Sequence, residues 1–273
     1  MAIHVREVEE RDKEGCIFAE KYATPHVIYL EEVWERFMKE GGFYVISKDD
    51  EIGGIGKITT LFDDVGWLET IRIHPDFQEQ GLGNALYQKY MEKIKESGLK
   101  KVGLYTEDWN IRSENLAKKY GFEKMGVFED YRKETTLDLD YSGTFELIED
   151  NAEEVISQYY DKMDDYCIVS KTFFPVIKGL GKDVARRKWA FKDDEGNFAI
   201  IGTRMQPEKV LFIAYYDGDI KKVLEFANEL AKQYGTAKLS AIRNVNDVKV
   251  IEELKDNGFE CVEVFMTLYQ DFE

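Results

Sequence analysis

Histidine and cysteine are scarce in this chain, and both scarcities exclude something. The only histidines are His4, His26 and His74, too few and too scattered for a histidine-based metal site, so no metal is expected. The three cysteines, Cys16, Cys167 and Cys261, are odd in number and far apart, with no metal-ligand spacing. They suit a reducing cytoplasm, and a cytoplasmic location is expected. Basic charge is in deficit as well. A net charge of −17 leaves no basic footprint for nucleic acid. No apolar run approaches the roughly 20 residues of a membrane span, so no membrane partner is expected. Arg6, Glu7, Glu9 and Glu10 interrupt the start, and no signal peptide is expected there. An acidic surface suits a cationic acceptor such as an amine or basic peptide, and equally serves solubility alone.

What is present centres on residues 67–85, WLETIRIHPDFQEQGLGNA. Residues 67–73 alternate as a strand, and Pro75 and Asp76 break it. The loop Gln78-Glu79-Gln80-Gly81-Leu82-Gly83 follows. Leu82, Ala85, Leu86, Tyr90 and Ile94 then fall on one helical face, and Gly98 is placed to end the helix in a left-handed conformation. A helix that opens at such a loop offers unpaired N–H groups and the positive end of its dipole, which suits a diphosphate. The same residues also make a tight strand-to-helix turn. The loop is not a Walker A loop, because no Gly-Lys-Ser/Thr follows, and it lacks the third glycine of the dinucleotide fingerprint.

Gln78-x-x-Gly81-x-Gly83 resembles motif A of the GNAT superfamily of N-acetyltransferases, whose loop reads Arg/Gln-x-x-Gly-x-Gly/Ala. The preceding Trp67-Leu68-Glu69-Thr70-Ile71-Arg72-Ile73-His74-Pro75-Asp76 fits the strand and turn that lead into that loop. Asn110 ends a later strand, and Tyr120-Gly121-Phe122 closes a helix as the family's Gly-Phe ending does. The resemblance covers roughly the first half of the chain.

The resemblance implies acetyl-CoA as co-substrate, an amine of a small molecule or peptide as acceptor, and transfer by direct attack. Acetyl-CoA would lie between residues 67–73 and a strand over 101–106. Backbone groups of Ile71 and Ile73 would pair with the pantetheine arm. Gln78, Glu79, Gln80, Gly81, Leu82, Gly83 and Asn84 would hold the diphosphate. Asn110, with Ser113 after it, would contact the arm from the other side, unless Asn110 is only a strand-end turn residue. Glu69 stands where many members carry a general base, flanked by apolar Trp67 and Ile71. A salt-bridged or solvent-facing strand carboxylate is its other reading.

Two departures matter. The loop carries no Arg or Lys, so charge would come from Arg72, Lys118 or Lys119. The family's tyrosine acid is replaced by Ala117, leaving Tyr120, Tyr105 or Tyr131 as substitutes, with Tyr120 also readable as core. These departures keep a rival open, a non-catalytic acyl-CoA-binding or sensing protein. An interaction module without cofactor is a third reading, against which Gly81 and Gly83 stand.

In order, the first half predicts a strand over 3–6, helices over 10–22 and 29–40, and a hairpin of 43–47 with 52–61. The central strand, its helix, the strand 101–106 and a helix over 111–120 follow. A terminal hairpin of 122–127 with 133–139 closes the half. A strand-helix-strand unit implies parallel neighbours with a right-handed crossover. The fold class expected is α/β (α+β), a GNAT-like mixed central sheet flanked by helices, present twice. A boundary at Tyr141-Ser142-Gly143 divides a GNAT domain over 1–141 from a degenerate copy over 142–273. The copy is read from LAKKYGFEKMGVFEDYRK against ELKDNGFECVEVFMTLYQ, offset by about 140 residues, one domain's length. Its loop position is Asp217-Gly218-Asp219-Ile220-Lys221-Lys222, where two aspartates would repel a diphosphate. The copy would then pack, shape the acceptor groove, or mediate association, a homodimer included. Residues 171–175 and 186–188 read as an aromatic lid and a basic contact, or as ordinary core and solvated face.

Overall fold

The computed structural model describes residues 2–25, 27–136 and 141–273. They form two compact units. Unit 1 holds Met1–Thr106, Asn110–Met125 and Leu268–Glu273; unit 2 holds Glu107–Trp109 and Gly126–Thr267. No helix among the described residues is long and apolar enough to cross a membrane.

Unit 1 is a sheet with helices on it. Its elements are β1 (Ile3–Glu7), α1 (Lys13–Ala23), α2 (Leu30–Glu40), β2 (Phe43–Lys48), β3 (Glu51–Phe62), β4 (Val65–Ile73), α3 (Leu82–Ser97), β5 (Lys101–Glu107) and α4 (Ile111–Lys119). The strands lie in the order β1-β2-β3-β4-β5. The first four are antiparallel neighbours. β5 runs parallel to β4, with α3 as the crossover. Asp49 and Asp50 both adopt positive φ, +50° and +67°, the turn that matches the twist of a tight hairpin and joins β2 to β3. α2 buries Leu30, Val33, Trp34 and Phe37, spaced to share one face. Burial of each aliphatic or Phe side chain there is worth about 1.5–3 kcal/mol. α3 buries Leu82, Leu86, Tyr87, Tyr90 and Ile94, and Gly98 ends it at φ +67°. It reaches the sheet closely because Gly56 of β3 has no side chain. A β-carbon there would lie 2.2 Å from the Tyr90 hydroxyl and 2.5 Å from Leu86.

The last strand of unit 1 comes from the end of the chain. β14 (Glu260–Asp271) finishes beside β5. The Tyr269 ring fills the space over Gly103, where a β-carbon would sit 2.3 Å from it. Lys101 pairs with Asp271 at 2.5 Å, and Phe272 N–H donates to Lys100 O at 2.7 Å.

Unit 2 holds most of β6 (Glu123–Glu134), then β7 (Glu146–Leu147), α5 (Ala152–Ser157), β8 (Tyr166–Val169), β9 (Thr172–Pro175), α6 (Leu180–Arg186) and β10 (Ala190–Lys192). β11 (Phe198–Gly202), β12 (Val210–Asp217), α7 (Ile220–Tyr234), β13 (Lys238–Asn244) and α8 (Val248–Asp256) complete it, with the start of β14. Its strand order is β14-β6-β13-β12-β11-β10-β7, with β8 and β9 as a separate hairpin. Here too one parallel pair, β12 with β13, is joined by a crossover helix, α7. Leu211, Ile213, Val223, Ala227, Leu230, Leu239 and Leu254 lie in the core between α7, α8 and the sheet.

One expectation needs correction. The terminal hairpin over 122–139 is not formed: β6 is one strand through Glu134, pairing antiparallel with β13 from Glu134↔Lys238 to Phe128↔Asn244. The turn-like Asp130 stays in the strand because its buried carboxylate accepts from Ser240 Oγ at 2.6 Å and from Arg132 at 2.6 and 3.0 Å. Residues 137–139 of the expected second strand lie outside the described residues. Of the two readings of residues 171–175, the structure bears out ordinary core. Phe173 and Phe174 are fully buried, and Arg187 lies over the Phe174 and Trp189 rings with its guanidinium on Asp183.

Candidate active site

The site begins where two parallel strands part. β4 and β5 pair at Val65↔Lys101, Gly66↔Val102 and Trp67↔Gly103 and at no residue beyond, although β4 continues to Ile73 and β5 to Glu107. Part of the cause lies in β4 itself. Across β3 its register is Lys57↔Glu69 and then Ile55↔Arg72, so Thr70 and Ile71 oppose the single residue Gly56. This is a β-bulge, with Thr70 held at φ +58°. A bulge kinks and twists its strand, and here it turns β4 away from β5. Gly54 gives the kinked strand room, since a β-carbon there would lie 2.7 Å from Arg72 O.

Glu69 sits just before the bulge and is 7% exposed. Its carboxylate accepts from Thr59 Oγ1 at 2.5 Å, and it stands opposite Lys57 across the strand pair. Lys57 is fully buried, with Nζ 3.2 Å from Glu40 and 2.8 Å from Gly41 O. Tyr29, capping α2, bonds Thr70 of the bulge through its hydroxyl at 2.7 Å. Burial raises the Tyr29 pKa, and Arg72, Tyr105 and Glu69 are within electrostatic reach of it. Arg72 is within electrostatic reach of buried Glu20 as well. Burial pushes the Glu20 carboxyl above its ordinary value while its Oε2 accepts from Leu30 N–H at 3.0 Å, at the start of α2.

Beyond β4, His74 Nδ1 accepts from Asp76 N–H at 3.3 Å and Pro75 opens a short 3-10 turn. Gln78 folds back and donates from Nε2 to Ile73 O at 3.2 Å, while Arg72 donates to Ile71 O at 3.2 Å. Gly81 is the N-cap of α3 at φ +92°, a conformation costly to any residue with a β-carbon. The first bond of α3 runs from Ala85 N–H to Gly81 O at 3.0 Å, which leaves the N–H groups of Leu82, Gly83 and Asn84 ahead of the helical ladder. Gly83 has a different reason to be small. A β-carbon there would meet Leu116 of α4 at 2.9 Å, so it sets the approach of α4 to α3.

Cations missing from the loop's own sequence reach it from other elements. Arg112 of α4 donates to Gln78 Oε1 at 2.5 Å and to Glu79 Oε1 at 2.7 Å. Lys119, also of α4, donates to Asn84 Oδ1 at 2.5 Å, and Lys48 of β2 donates to Gln80 Oε1. Arg112 and Lys48 were not expected. The available signal was the position of Arg112 in the same helical turn as Asn110 and Ser113. Lys118 is turned to Glu114, at 2.7 Å.

Asn110 caps α4, its Oδ1 accepting from Ser113 N–H at 3.1 Å. Tyr120 donates its hydroxyl to Asn84 O at 2.9 Å and stacks on Tyr87 at 5.0 Å. The structure thus gathers residues 78–84, Asn110, Ser113 and Tyr120 with Arg112 and Lys119 around the start of α3. Glu69, Thr70 and Arg72 gather with Tyr29 on the α1–α2 side. Tyr131 lies in the core of unit 2.

Unit 2 provides an internal comparison. Gly179-Leu180-Gly181 repeats the tripeptide Gly81-Leu82-Gly83, and Gly179 adopts φ +100°. There the N–H groups of Gly179 and Lys182 donate to the Glu153 carboxylate at 2.9 and 3.0 Å. The Gly181 N–H donates instead to the Tyr160 hydroxyl at 2.8 Å. Before α7, Asp219 caps the helix by accepting from Lys221 N–H at 2.8 Å.

Residues 5–122 match the sequence profile of the Acetyltransferase (GNAT) family. The matched residues make up less than half of the chain. The matched stretch contains the parted strands, the loop and α4. Over 89 residues the chain is 29% identical to a candidate ribosomal protein bS18-alanine N-acetyltransferase of Bacillus subtilis (strain 168). That alignment covers 33% of this chain and 58% of the relative, less than two thirds of its length. The fold of a candidate acetyltransferase from Pyrococcus horikoshii follows 99% of this chain and 90% of its own, at TM-score 0.66 and 14% identity. A GCN5-related N-acetyltransferase from Sphaerobacter thermophilus follows 98% of this chain and 95% of its own, at TM-score 0.60 and 13% identity. At such identities the likeness is one of fold, a mixed sheet flanked by helices in the GNAT manner.

Proposed function

We propose that unit 1 transfers an acetyl group from acetyl-CoA to a primary amine by direct attack. The observation that carries this reading is the parting of β4 and β5 after Trp67 and Gly103, with a Gly81-capped helix start and three cations at its end. A pantetheine arm fits between parted strands, where it replaces the missing ladder bonds, and its diphosphate fits the N–H groups of residues 82–84. The residues present suit the group: donors at the helix start, Arg112 and Lys119 beside them, Asn110 and Ser113 opposite, and backbone of Ile71 and Ile73 along the arm. Arg72 serves the acceptor side of the same site.

The amine nitrogen attacks the thioester carbonyl carbon, the carbon–sulfur bond breaks, and the nitrogen gives up a proton. Glu69 takes that proton directly or through one water, and the coenzyme leaves as its thiolate. Tyr120 supports the site by holding the first turn of α3. The acceptor is a small-molecule or peptide amine. The name of the Bacillus relative makes a peptide N-terminus one acceptor to test. The second half is a degenerate copy of the first, with the break near residue 142, and it takes no cofactor.

A second reading, an acyl-CoA-binding protein without turnover, is favoured by one observation: the Tyr120 hydroxyl is spent on Asn84 O. Incubation with acetyl-CoA and a panel of amines, following released thiol, separates the two. Thiol release dependent on one class of amine supports transfer. Tight binding with no release across the panel supports the second reading.

A further inference from the structure

Unit 2 contains a buried cation that transfer chemistry does not use. Arg243, at the end of β13, is 6% exposed, and among the described residues no carboxylate lies in ion-pair contact with it. Its Nη1 lies 2.8 Å from Ile242 O, 3.1 Å from Ala214 O and 3.3 Å from Ile213 O, and its Nη2 lies 3.3 Å from Ile213 O. The guanidinium thus spans from β13 to β12.

The place it spans has a counterpart in unit 1. β12 and β13 pair in parallel at Val210↔Lys238, Leu211↔Leu239 and Phe212↔Ser240, and at no residue beyond. Here too a bulge follows. Across β11 the register steps from Ile201↔Ile213 to Ile200↔Tyr215, leaving Ala214 as the extra residue. The bulge lets two successive carbonyls, Ile213 and Ala214, face the same way, and Arg243 satisfies both. Counting from the last parallel pair, Ala214 stands where unit 1 has Glu69, and Arg243 where unit 1 has Thr106.

We infer that the opening between β12 and β13 is a guanidinium-binding slot, filled by the chain's own Arg243, which closes unit 2 to any extended ligand arm. This inference concerns unit 2 alone and stands whether or not unit 1 transfers acetyl groups. The slot's chemistry is specific. It offers carbonyl oxygens in a plane-sided gap, matched by the fork of a guanidinium and not by a compact ammonium. Two carboxylates, Asp164 and Asp247, supply negative potential from a distance, and the Tyr216 ring lies 6.0 Å from the guanidinium carbon. Burial pulls the Arg243 pKa below its ordinary value, and these neighbours counter that pull.

The test uses the full chain. Arg243→Ala leaves carbonyls without donors in an emptied slot, and its Tm should fall by several degrees. At about 10 mM, far below denaturing concentrations, guanidinium should restore much of that loss by mass action. Sodium chloride and methylammonium chloride at equal ionic strength should not, and the wild type should gain nothing. Rescue by guanidinium alone supports the slot. Equal effects of all three salts, or none, overturn it. Arg243→Lys keeps the charge without the fork, so a Tm equal to wild type also overturns it. A third measurement needs no variant. Phenylglyoxal should modify Arg243 in the native wild type at least about tenfold more slowly than exposed Arg11, through rare local opening only. Similar rates would mean the slot stands open.

Discussion

At the residue scale, Glu69 is the base of the proposed transfer. It is buried, it accepts from Thr59, and it lies one residue before a bulge that opens the sheet. Glu69→Gln keeps the shape and cannot accept a proton. Turnover with a saturating amine should fall about 10²- to 10⁴-fold, the usual worth of a positioned base. Acetyl-CoA affinity should hardly move. Wild-type turnover at neutral pH in the variant would shift the base to a carboxylate nearer the acceptor. A second residue-scale prediction concerns stability. Arg6 holds the Asp12 carboxylate at 2.6 and 2.7 Å, with help from Glu9 N–H at 2.8 Å, and so keeps its pKa below the ordinary 3.8. The folded state then takes up this proton at lower pH than the unfolded state. The contribution is complete above about pH 4 and is lost as pH falls through the depressed value. Asp12→Asn should lower Tm at pH 6 and flatten its decline between pH 4 and pH 2. Parallel declines in the two proteins would remove Asp12 from the acid response.

At the element scale, local signals were legible and distant partners were not. Pro75, Gly81 and Gly98 announced the end of β4 and both ends of α3, because each acts through its own φ. β6 was misread as a hairpin because the residues that keep Asp130 in a strand include Ser240, 110 positions away. Arg112 was missed for the same reason: it is 34 positions from Gln78, and only the packing of α4 on α3 brings them together. The spacing of Gly81 and Gly83 suggested one shared task. The structure divides it, with Gly81 setting a left-handed turn and Gly83 admitting Leu116. If α4 supplies the charge, Arg112→Gln should weaken acetyl-CoA binding about tenfold, or ~1.4 kcal/mol, at low salt. The deficit should shrink as salt screens the exposed guanidinium in the wild type. An affinity unchanged at every salt concentration would leave the anion to the backbone alone.

For the whole molecule, the two units repeat a parallel pair that parts after three residues, each followed by a bulge. Two similar segments, each carrying Gly-Phe, were legible in the sequence. That the last residues of the chain belong to unit 1 was not legible, since alternation fixes which face of a strand is buried and not which strand lies alongside it. Tyr269 joins the last residues of the chain to unit 1, over Gly103 and 6.0 Å from the Trp67 ring. Tyr269→Ala should therefore destabilise unit 1 by about 3 kcal/mol or more, as loss of a buried ring does. Denaturant unfolding with an unchanged midpoint would detach the terminus from that core. The halves differ in what fills their openings. Unit 1 has Glu69, the Gly81 loop and three cations; unit 2 has Ala214, a self-capped helix and Arg243. The most direct measurement is a calorimetric titration of acetyl-CoA into the full chain. The account predicts one molecule bound per chain. No binding, or two molecules per chain, would contradict it.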